Sequence, residues 1–501
     1  MTNSTPDYRT ASPEDAPDSG VSSRRIVVGP FNRVEGDLEV QLDVDGGRVT
    51  AAYVNASLYR GFEQLLVGRD PFDALVLVPR ICGICSVSQS AAAVAALTEL
   101  GGYRAPANGR LASNLILASE VVVDHLTHFY LFFMPDFARD AYAARPWHAA
   151  AVARFKALSG SAGAEFLPAR AGLLRVLALL AGKWPHTLAL RPGGTTRALQ
   201  RGEKARLRLF LREFRQFLES VLFADRLEAV AGLESADALA RWARGRPGDC
   251  AHFLALSDDL GLARVGRASD CFLSAGAYPQ ESANLFAAGY RDGTTHPFSP
   301  AAITEDHTSA WLEDSAAPLS PASGMTRPQA DKAGAYSWCK APRYAGRVVE
   351  TGALARQLID GQPLLNALVA QHGGSVTARI VARLVEVASL VPEMERWVDL
   401  LVEGEPFFAS GELPASGSAV GLVEAARGTL GHWVSVEDGR IARYQIVAPT
   451  TWNFSPRDAA GQPGALEQAL AGLDVGSASA DAVVVQHVVR SFDPCMVCTV
   501  H

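Results

Sequence analysis

Two Cys-x-x-Cys pairs stand near opposite ends of this chain. One lies in Arg80-Ile81-Cys82-Gly83-Ile84-Cys85, the other in Asp493-Pro494-Cys495-Met496-Val497-Cys498-Thr499-Val500-His501. No other cysteines in the chain are closely spaced. Two thiolate pairs build one four-sulfur site only if the whole fold closes between them. The pattern therefore predicts a soft, thiolate-rich transition-metal centre buried in a large domain. The terminal His501 is itself a potential metal ligand.

Taken alone, Cys-x-x-Cys is ambiguous, because redox dithiols, zinc ribbons and iron–sulfur sites all use it. A zinc site usually has its pairs much closer in sequence. A thioredoxin-like dithiol needs one pair within a βαβ unit, and nothing here resembles that unit. The stretch 88–100, SQSAAAVAALTEL, is expected to be a helix directly after the first pair. A helix N-terminus lowers a thiol pKa and favours the thiolate that a metal needs.

The rest of the composition narrows the class. A chain of 501 residues can bury a substantial core. Its 48% apolar and 20% charged content is that of a soluble globular protein. A net charge of −7 argues against nucleic acid as the main partner. Seven cysteines, an odd number in a long chain, suit reduced thiols in the cytoplasm rather than a disulfide scaffold. Residues 1–23 are rich in Ser, Thr, Pro and Asp, so a flexible leader is expected over 1–24 and a single domain over 25–501. Ser23-Arg24-Arg25 resembles a twin-arginine signal, but Gly29-Pro30-Phe31-Asn32-Arg33 interrupts any apolar segment after it. No run approaches ~20 uncharged apolar residues, so no membrane span is expected. The best candidate, near Ala171–Gly182, is short and carries Arg175.

Hydrophobic periodicity outlines the elements. Leu38, Val40, Leu42 and Val44 share one face of a strand, and Val49 to Val54 read as its return across Gly46-Gly47. Residues 111–134 look like a core helix with interspersed His. Residues 195–232 carry many Arg and Lys at helical spacing, the pattern of a solvated face or, less often, of a docking face. A Gly/Pro/Ser/Ala-rich stretch over 274–330 reads as irregular, with short strands at most. Helical patterning returns over 352–404, and 432–448 suggests a hairpin around Glu437-Asp438-Gly439. There is no convincing internal repeat. The sum is an α+β chain, predominantly helical.

The two cysteine motifs resemble the signatures of the large subunit of nickel–iron hydrogenases. Six further segments resemble blocks of the same family, in the same order: Asn32-Arg33-Val34-Glu35-Gly36, Arg60-Gly61-Phe62-Glu63, Lys340-Ala341-Pro342-Arg343-Tyr344, Glu350 to Arg356, Glu424 to Gly428, and Ala448 to Asn453. The resemblance covers nearly the whole chain after residue 25. It implies that family's fold, a central helical bundle with small peripheral β-sheets. It also implies nickel held by all four cysteines, with Cys85 and Cys498 bridging to an iron that carries carbon monoxide and cyanide, and Cys82 and Cys495 binding nickel terminally. Cys250, Cys271 and Cys339 lack partners at ligand spacing and read as packed or surface thiols.

The same resemblance assigns roles around the metals. Arg427 matches an arginine above them that polarises hydrogen as it splits. Without the family context it reads as a structural salt bridge. Asp124 and Asp493 match the acids that hold this arginine. Thr450 matches a hydroxyl that donates to a cyanide, and Pro449 and Leu430 match walls around the iron. Glu35 matches a carboxylate that relays protons from a terminal cysteine, although a Glu before Gly at a strand start is more often a turn or surface residue. Glu63, His501 and the Ile446 carbonyl match the ligands of a magnesium-like ion.

Two positions depart from the commoner hydrogen-harvesting members. Gln89 and Asp37 stand where those members usually carry His. Gln cannot titrate near neutral pH but still donates a hydrogen bond to a bridging sulfur. Ser86-Val87-Ser88-Gln89-Ser90 resembles the hydrogen-sensing, cytoplasmic branch, and the end at His501 fits the same branch. The expectation is thus the large subunit of a hydrogen-sensing nickel–iron hydrogenase that cleaves hydrogen slowly. It would pass electrons to an iron–sulfur small subunit, because this chain has no spare cysteine set for a cluster. The sensing role implies contact with a sensor histidine kinase. The alternatives are an uptake hydrogenase that feeds respiration and, more remotely, a non-catalytic relative such as the quinone-pocket subunit of respiratory complex I, which lacks the full cysteine set.

Overall fold

The computed structural model describes residues 24–476 and 483–499. The expected leader therefore lies outside the described residues except for Arg24, which opens the first strand. Strands β1 (Arg24–Val28), β2 (Leu38–Asp45) and β3 (Arg48–Ala56) form an antiparallel sheet in that order. Leu38, Val40, Leu42 and Val44 are buried, as the alternation predicts. Gly46 and Gly47 close the β2–β3 hairpin with φ of 54° and 80°. A two-residue loop with both φ positive matches the right-handed twist of the strands, and glycine adopts it without a steric cost.

Helix α1 (Phe62–Leu66) is short; α2 (Ser86–Gly101) begins one residue after Cys85. Its Ala-rich sequence favours helix, and Gly102 ends it in the left-handed region at φ 62°. Helix α3 (Ala107–Thr127) continues through a wider π turn and a tighter 3₁₀ turn to Ala138. That path is long and apolar enough to cross a membrane by length and composition, the one such helix among the described residues. Yet 89% of its most apolar window is buried inside the protein, which is the signature of a core helix.

Helix α3 packs against α4 (Ser161–Ala181) and against the long helix α7 (Val376–Leu400). Helix α5 (Glu203–Phe217) closes the bundle against α4 and α7, and α6 (Ala353–Ile359) lies along α7. In α5, Leu207, Phe210, Leu211 and Phe214 face the core. The basic side is not simply a solvated face. Lys204 donates to the Asp399 and Leu401 carbonyls at 2.9 and 2.7 Å, and Arg215 meets Glu395 at 2.8 Å. Those carbonyls end α7, where its dipole favours cations.

The stretch expected to be irregular holds two eight-residue strands, β4 (Phe272–Pro279) and β5 (Asn284–Arg291), paired antiparallel. Its Ser, Ala and Gly residues give little alternation to read, yet small side chains suit a strand packed closely under other elements. The late hairpin is present as β7 (Gly428–Glu437) and β8 (Arg440–Val447), with β6 (Gly417–Ala425) on the outer side of β7. Helix α8 (Pro449–Asn453) follows, and α9 (Val483–Ser491) leads into a tight turn at Met496–Cys498. The small sheets thus flank a central helical bundle.

Sheet β6–β8 lies against α2, the helix that follows the first cysteine pair. Contact is close because of Gly421. A Cβ there would sit 2.1 Å from the Ala92 carbonyl oxygen and 2.2 Å from the Ala96 nitrogen. Gly421→Ala is expected to destabilise the protein by about 1–3 kcal/mol, read as a lower thermal midpoint. An unchanged midpoint would mean that α2 and the sheet separate at no cost.

Candidate metal centre

Cys82 lies in the turn after Val78–Arg80, and Cys85 is the residue that starts α2. Cys495 immediately precedes the final tight turn and Cys498 ends it. The fold brings all four sulfurs within 4.8 Å of one another, and all four cysteines are buried. Cys82 Sγ lies 3.5 Å from Cys495 Sγ, while Cys85–Cys498 and Cys495–Cys498 are each 3.1 Å apart. A disulfide bond is about 2.05 Å long, so these are free thiols.

Such a cluster holds several negative charges only with a cation among them. Hydrogen bonding from Cys495 holds the Cys82 thiol well below its ordinary range. Hydrogen bonding with Cys495 pushes Cys85 well above it, and burial pushes Cys495 up in turn. Neighbouring thiols compete for charge, and a soft metal ion releases that competition. The donor set fits a thiolate-bound transition metal. Cys250, Cys271 and Cys339 are packed in the core instead, and burial pushes Cys250 up to about 12.

The two cysteine segments are stitched together by groups outside them. Glu35 pairs as a parallel bridge with Cys495. Its N–H donates to the Pro494 carbonyl at 3.3 Å, and its own carbonyl accepts from Met496 at 2.7 Å. Arg60 donates to the Ile81 carbonyl at 2.5 Å and also to the Val497 carbonyl, so one guanidinium spans both cysteine loops. Glu120 on α3 supports the first loop from behind. It accepts the Val87 and Ser88 backbone N–H groups at 2.8 and 2.9 Å and the Trp184 indole at 3.0 Å. A carboxylate there occupies donors that a helix start leaves open. Burial pushes Glu120 up to about 7.

Arg427 is fixed from two sides. It makes a two-pronged contact with Asp124, whose longer arm is 3.1 Å. It also donates to Asp493 Oδ1 at 3.0 Å and to the Asp493 carbonyl at 2.9 Å. Burial pushes Asp124 up to about 8, against the pull of Arg427. Against the same burial, Arg427 holds Asp493 below the usual range. The guanidinium keeps its charge in the dry site, and both carboxylates lock its plane. It also lies within electrostatic reach of Cys495 and Cys85.

The other expected residues fall in different places. Thr450, Pro449 and Leu430 are buried; Leu430 shares an apolar cluster with the four cysteines, and Thr450 Oγ1 accepts the Cys495 N–H at 3.3 Å. Glu35 is half-buried rather than on the surface. Burial, then the nearby Cys82, raises its pKa, while Arg427 and Arg60 oppose the shift. Glu63 and Ile446 adjoin, with the Ile446 N–H donating to Glu63 Oε1 at 2.8 Å. His501 lies outside the described residues. Asp37 is exposed.

Sequence reasoning gave no role to Arg60, Lys340, Glu305, Glu120 or His432. Lys340 bridges Glu63 and Glu305 at 2.9 Å each, and His432 contacts Gln89 at 2.9 Å. Arg60 and Lys340 stood inside motifs already noted, and that position was their only signal. The partners of the other three are far away in sequence.

A profile of the family "Nickel-dependent hydrogenase" matches residues 60–159 and 161–501. The chain is 29% identical to the periplasmic [NiFeSe] hydrogenase large subunit of Desulfomicrobium baculatum, across 95% of each protein. It is 30% identical to the hydrogenase-2 large chain of Escherichia coli K12, across 96% of this chain and 97% of that one. Its fold superposes on the Ni-Fe-Se hydrogenase of D. vulgaris Hildenborough with a TM-score of 0.82 and 31% identity, across 96% of this chain and all of that one. With four buried sulfurs converging on one point and this breadth of likeness, the chain belongs to the nickel-dependent hydrogenase large-subunit family.

Proposed function

We propose that this subunit cleaves molecular hydrogen heterolytically and passes the two electrons to an iron–sulfur small subunit. The observation that carries the reading is the convergence of four buried thiols near an arginine clamped by two carboxylates. Cys82 and Cys495 would bind nickel terminally, and Cys85 and Cys498 would bridge to an iron bearing one carbonyl and two cyanides. When bound, this group supplies the redox-active, electrophilic site at which hydrogen splits.

The chain's own residues then divide the work. Arg427 presents a fixed, buried cation within electrostatic reach of Cys495 and Cys85, where preorganised charge acts strongly. Asp124 and Asp493 hold its orientation. Thr450 has its oxygen occupied by the Cys495 N–H, so its hydroxyl proton is available to a diatomic ligand. Pro449 and Leu430 would wall the iron side with apolar atoms. Glu35 stands beside Cys82 with a raised pKa, which suits a carboxylate that takes a proton from that sulfur and hands it outward. Glu63, with the Ile446 carbonyl and His501, would hold a magnesium-like ion. Glu63 and Glu305 face one ammonium, so the cluster retains negative charge for a hard cation.

The named relatives favour a role in harvesting hydrogen; one of them is a periplasmic enzyme. A second reading, hydrogen sensing in the cytoplasm with a sensor kinase as partner, draws on Gln89 and Asp37. Gln89 puts a non-titrating amide beside Cys498, and the resulting loss of a proton carrier suits slow turnover.

Purified protein is expected to contain one nickel and one iron per chain, with infrared bands from one carbonyl and two cyanides. Stoichiometric zinc without those bands would overturn the reading. Arg427→Lys keeps the charge and loses the planar fork. It should retain both metals and lose turnover on the order of 10²-fold, whereas near-normal turnover with full metal content would make Arg427 structural. Deletion of the gene in its host separates the two roles. Loss of hydrogen-driven respiration marks harvesting, and loss of hydrogen-dependent transcription of other hydrogenase genes marks sensing.

A further inference from the structure

Gln89 lies between two unlike neighbours. Its Nε2 faces Cys498 Sγ at 3.9 Å, and its Oε1 meets His432 Nε2 at 2.9 Å. On the far side of the imidazole, His432 Nδ1 meets the Tyr444 hydroxyl at 2.8 Å. All three side chains are buried. His432 stands on β7 and Tyr444 on β8, where Tyr444 pairs with Val434, two residues along from His432. Their rings meet edge to face, with centroids 5.6 Å apart.

An amide fits such a slot in either of two orientations, and its own shape does not choose between them. The neighbours choose. A phenol O–H is a stronger donor than an imidazole N–H, and an imidazole nitrogen is the better acceptor, so Tyr444 donates to His432 Nδ1. A neutral imidazole then carries its proton on Nε2 and donates to the Gln89 oxygen. That contact holds the oxygen away from Cys498 and turns the amide N–H toward the sulfur. The donors run in one direction from Tyr444 through His432 and Gln89 to Cys498. In the reversed chain an amide oxygen would face an electron-rich sulfur, which is repulsive.

We propose that His432 and Tyr444 are positioning residues that fix Gln89 as a hydrogen-bond donor to Cys498, thereby lowering the electron density this sulfur gives the metals. The proposal rests on Cys498 bridging nickel and iron, as in the function proposed above. A hydrogen bond withdraws density from a thiolate, and outer partners of this kind tune metal sites. A packing role alone would place the same side chains here without acting through Gln89.

The test uses the metal-loaded protein and reads the iron-carbonyl infrared band together with the nickel and iron content. His432→Phe should keep the metals, move the band to lower wavenumber and cut turnover about 10-fold. Gln89→Leu should move the band the same way. The double variant should move it no further than Gln89→Leu alone. His432→Gln keeps an N–H donor and should restore the band to its original position. Tyr444→Phe keeps the ring and should give a smaller shift in the same direction, which serves if His432→Phe fails to fold. The idea is overturned if a fully metallated His432→Phe or Tyr444→Phe protein leaves the band unmoved. It is equally overturned if the His432→Phe shift persists undiminished in the Gln89→Leu background. Absence of nickel and of the bands from the unaltered protein would instead remove the functional reading beneath it.

Discussion

Arg60 reaches the Ile81 carbonyl on one side and the Val497 carbonyl on the other, and the geometry of the metal centre hangs on bridges of this kind. Neither cysteine loop has regular structure that would place its sulfurs unaided. The first is a turn that runs into α2, and the second is a single tight turn. What places them is borrowed: the Glu35 backbone paired to Cys495, the Glu120 carboxylate behind α2, and one guanidinium across the gap. Charged donors form stronger hydrogen bonds than neutral ones. In a buried site they also have no water to turn to, so their preferred geometry becomes the geometry of the site.

The interior around the site holds several buried ion pairs. Arg356 pairs with Glu386 and Glu424 at 2.7 and 2.9 Å, Arg379 pairs with Glu350 at 2.7 Å, and Arg427 has its two aspartates. Buried pairs of this sort add little net stability over apolar packing, but removing one partner costs about 3–5 kcal/mol. They tie α3, α6, α7, the β6–β7 hairpin and the segment before Cys495 to one arrangement. The bundle therefore acts as a rigid frame, and the sheets and turns hold the chemistry against it.

Much of this was legible in the sequence, for identifiable reasons. The β2–β3 hairpin showed because alternation is strict and two glycines mark its turn. The helices after the first cysteine pair and over 352–404 showed through their period. The four cysteines, Arg427, Asp124 and Asp493 stood in motifs. The β4–β5 hairpin was obscured because small residues carry no alternation. The basic face of α5 looked solvated because charge alone does not reveal the carbonyls at the end of α7. His432, Glu305 and Glu120 were invisible for a different reason. Each gains its meaning from a partner brought near only by the fold, and a lone buried histidine on a strand reads as packing.

Cys82 and Cys495 are separated by 413 residues along the chain, and that distance has a meaning in time. A ribosome adds about 5–20 residues per second, so roughly 20 to 80 seconds pass between the first thiol pair and the second. Through that interval Cys82 and Cys85 have no partners, and half a soft-metal site is open to oxidants and to stray zinc. Nickel arriving early would find two sulfurs where it needs four. The order of synthesis therefore makes the first pair the vulnerable half and the second pair the latch, and it leaves metal loading as an event for a finished chain.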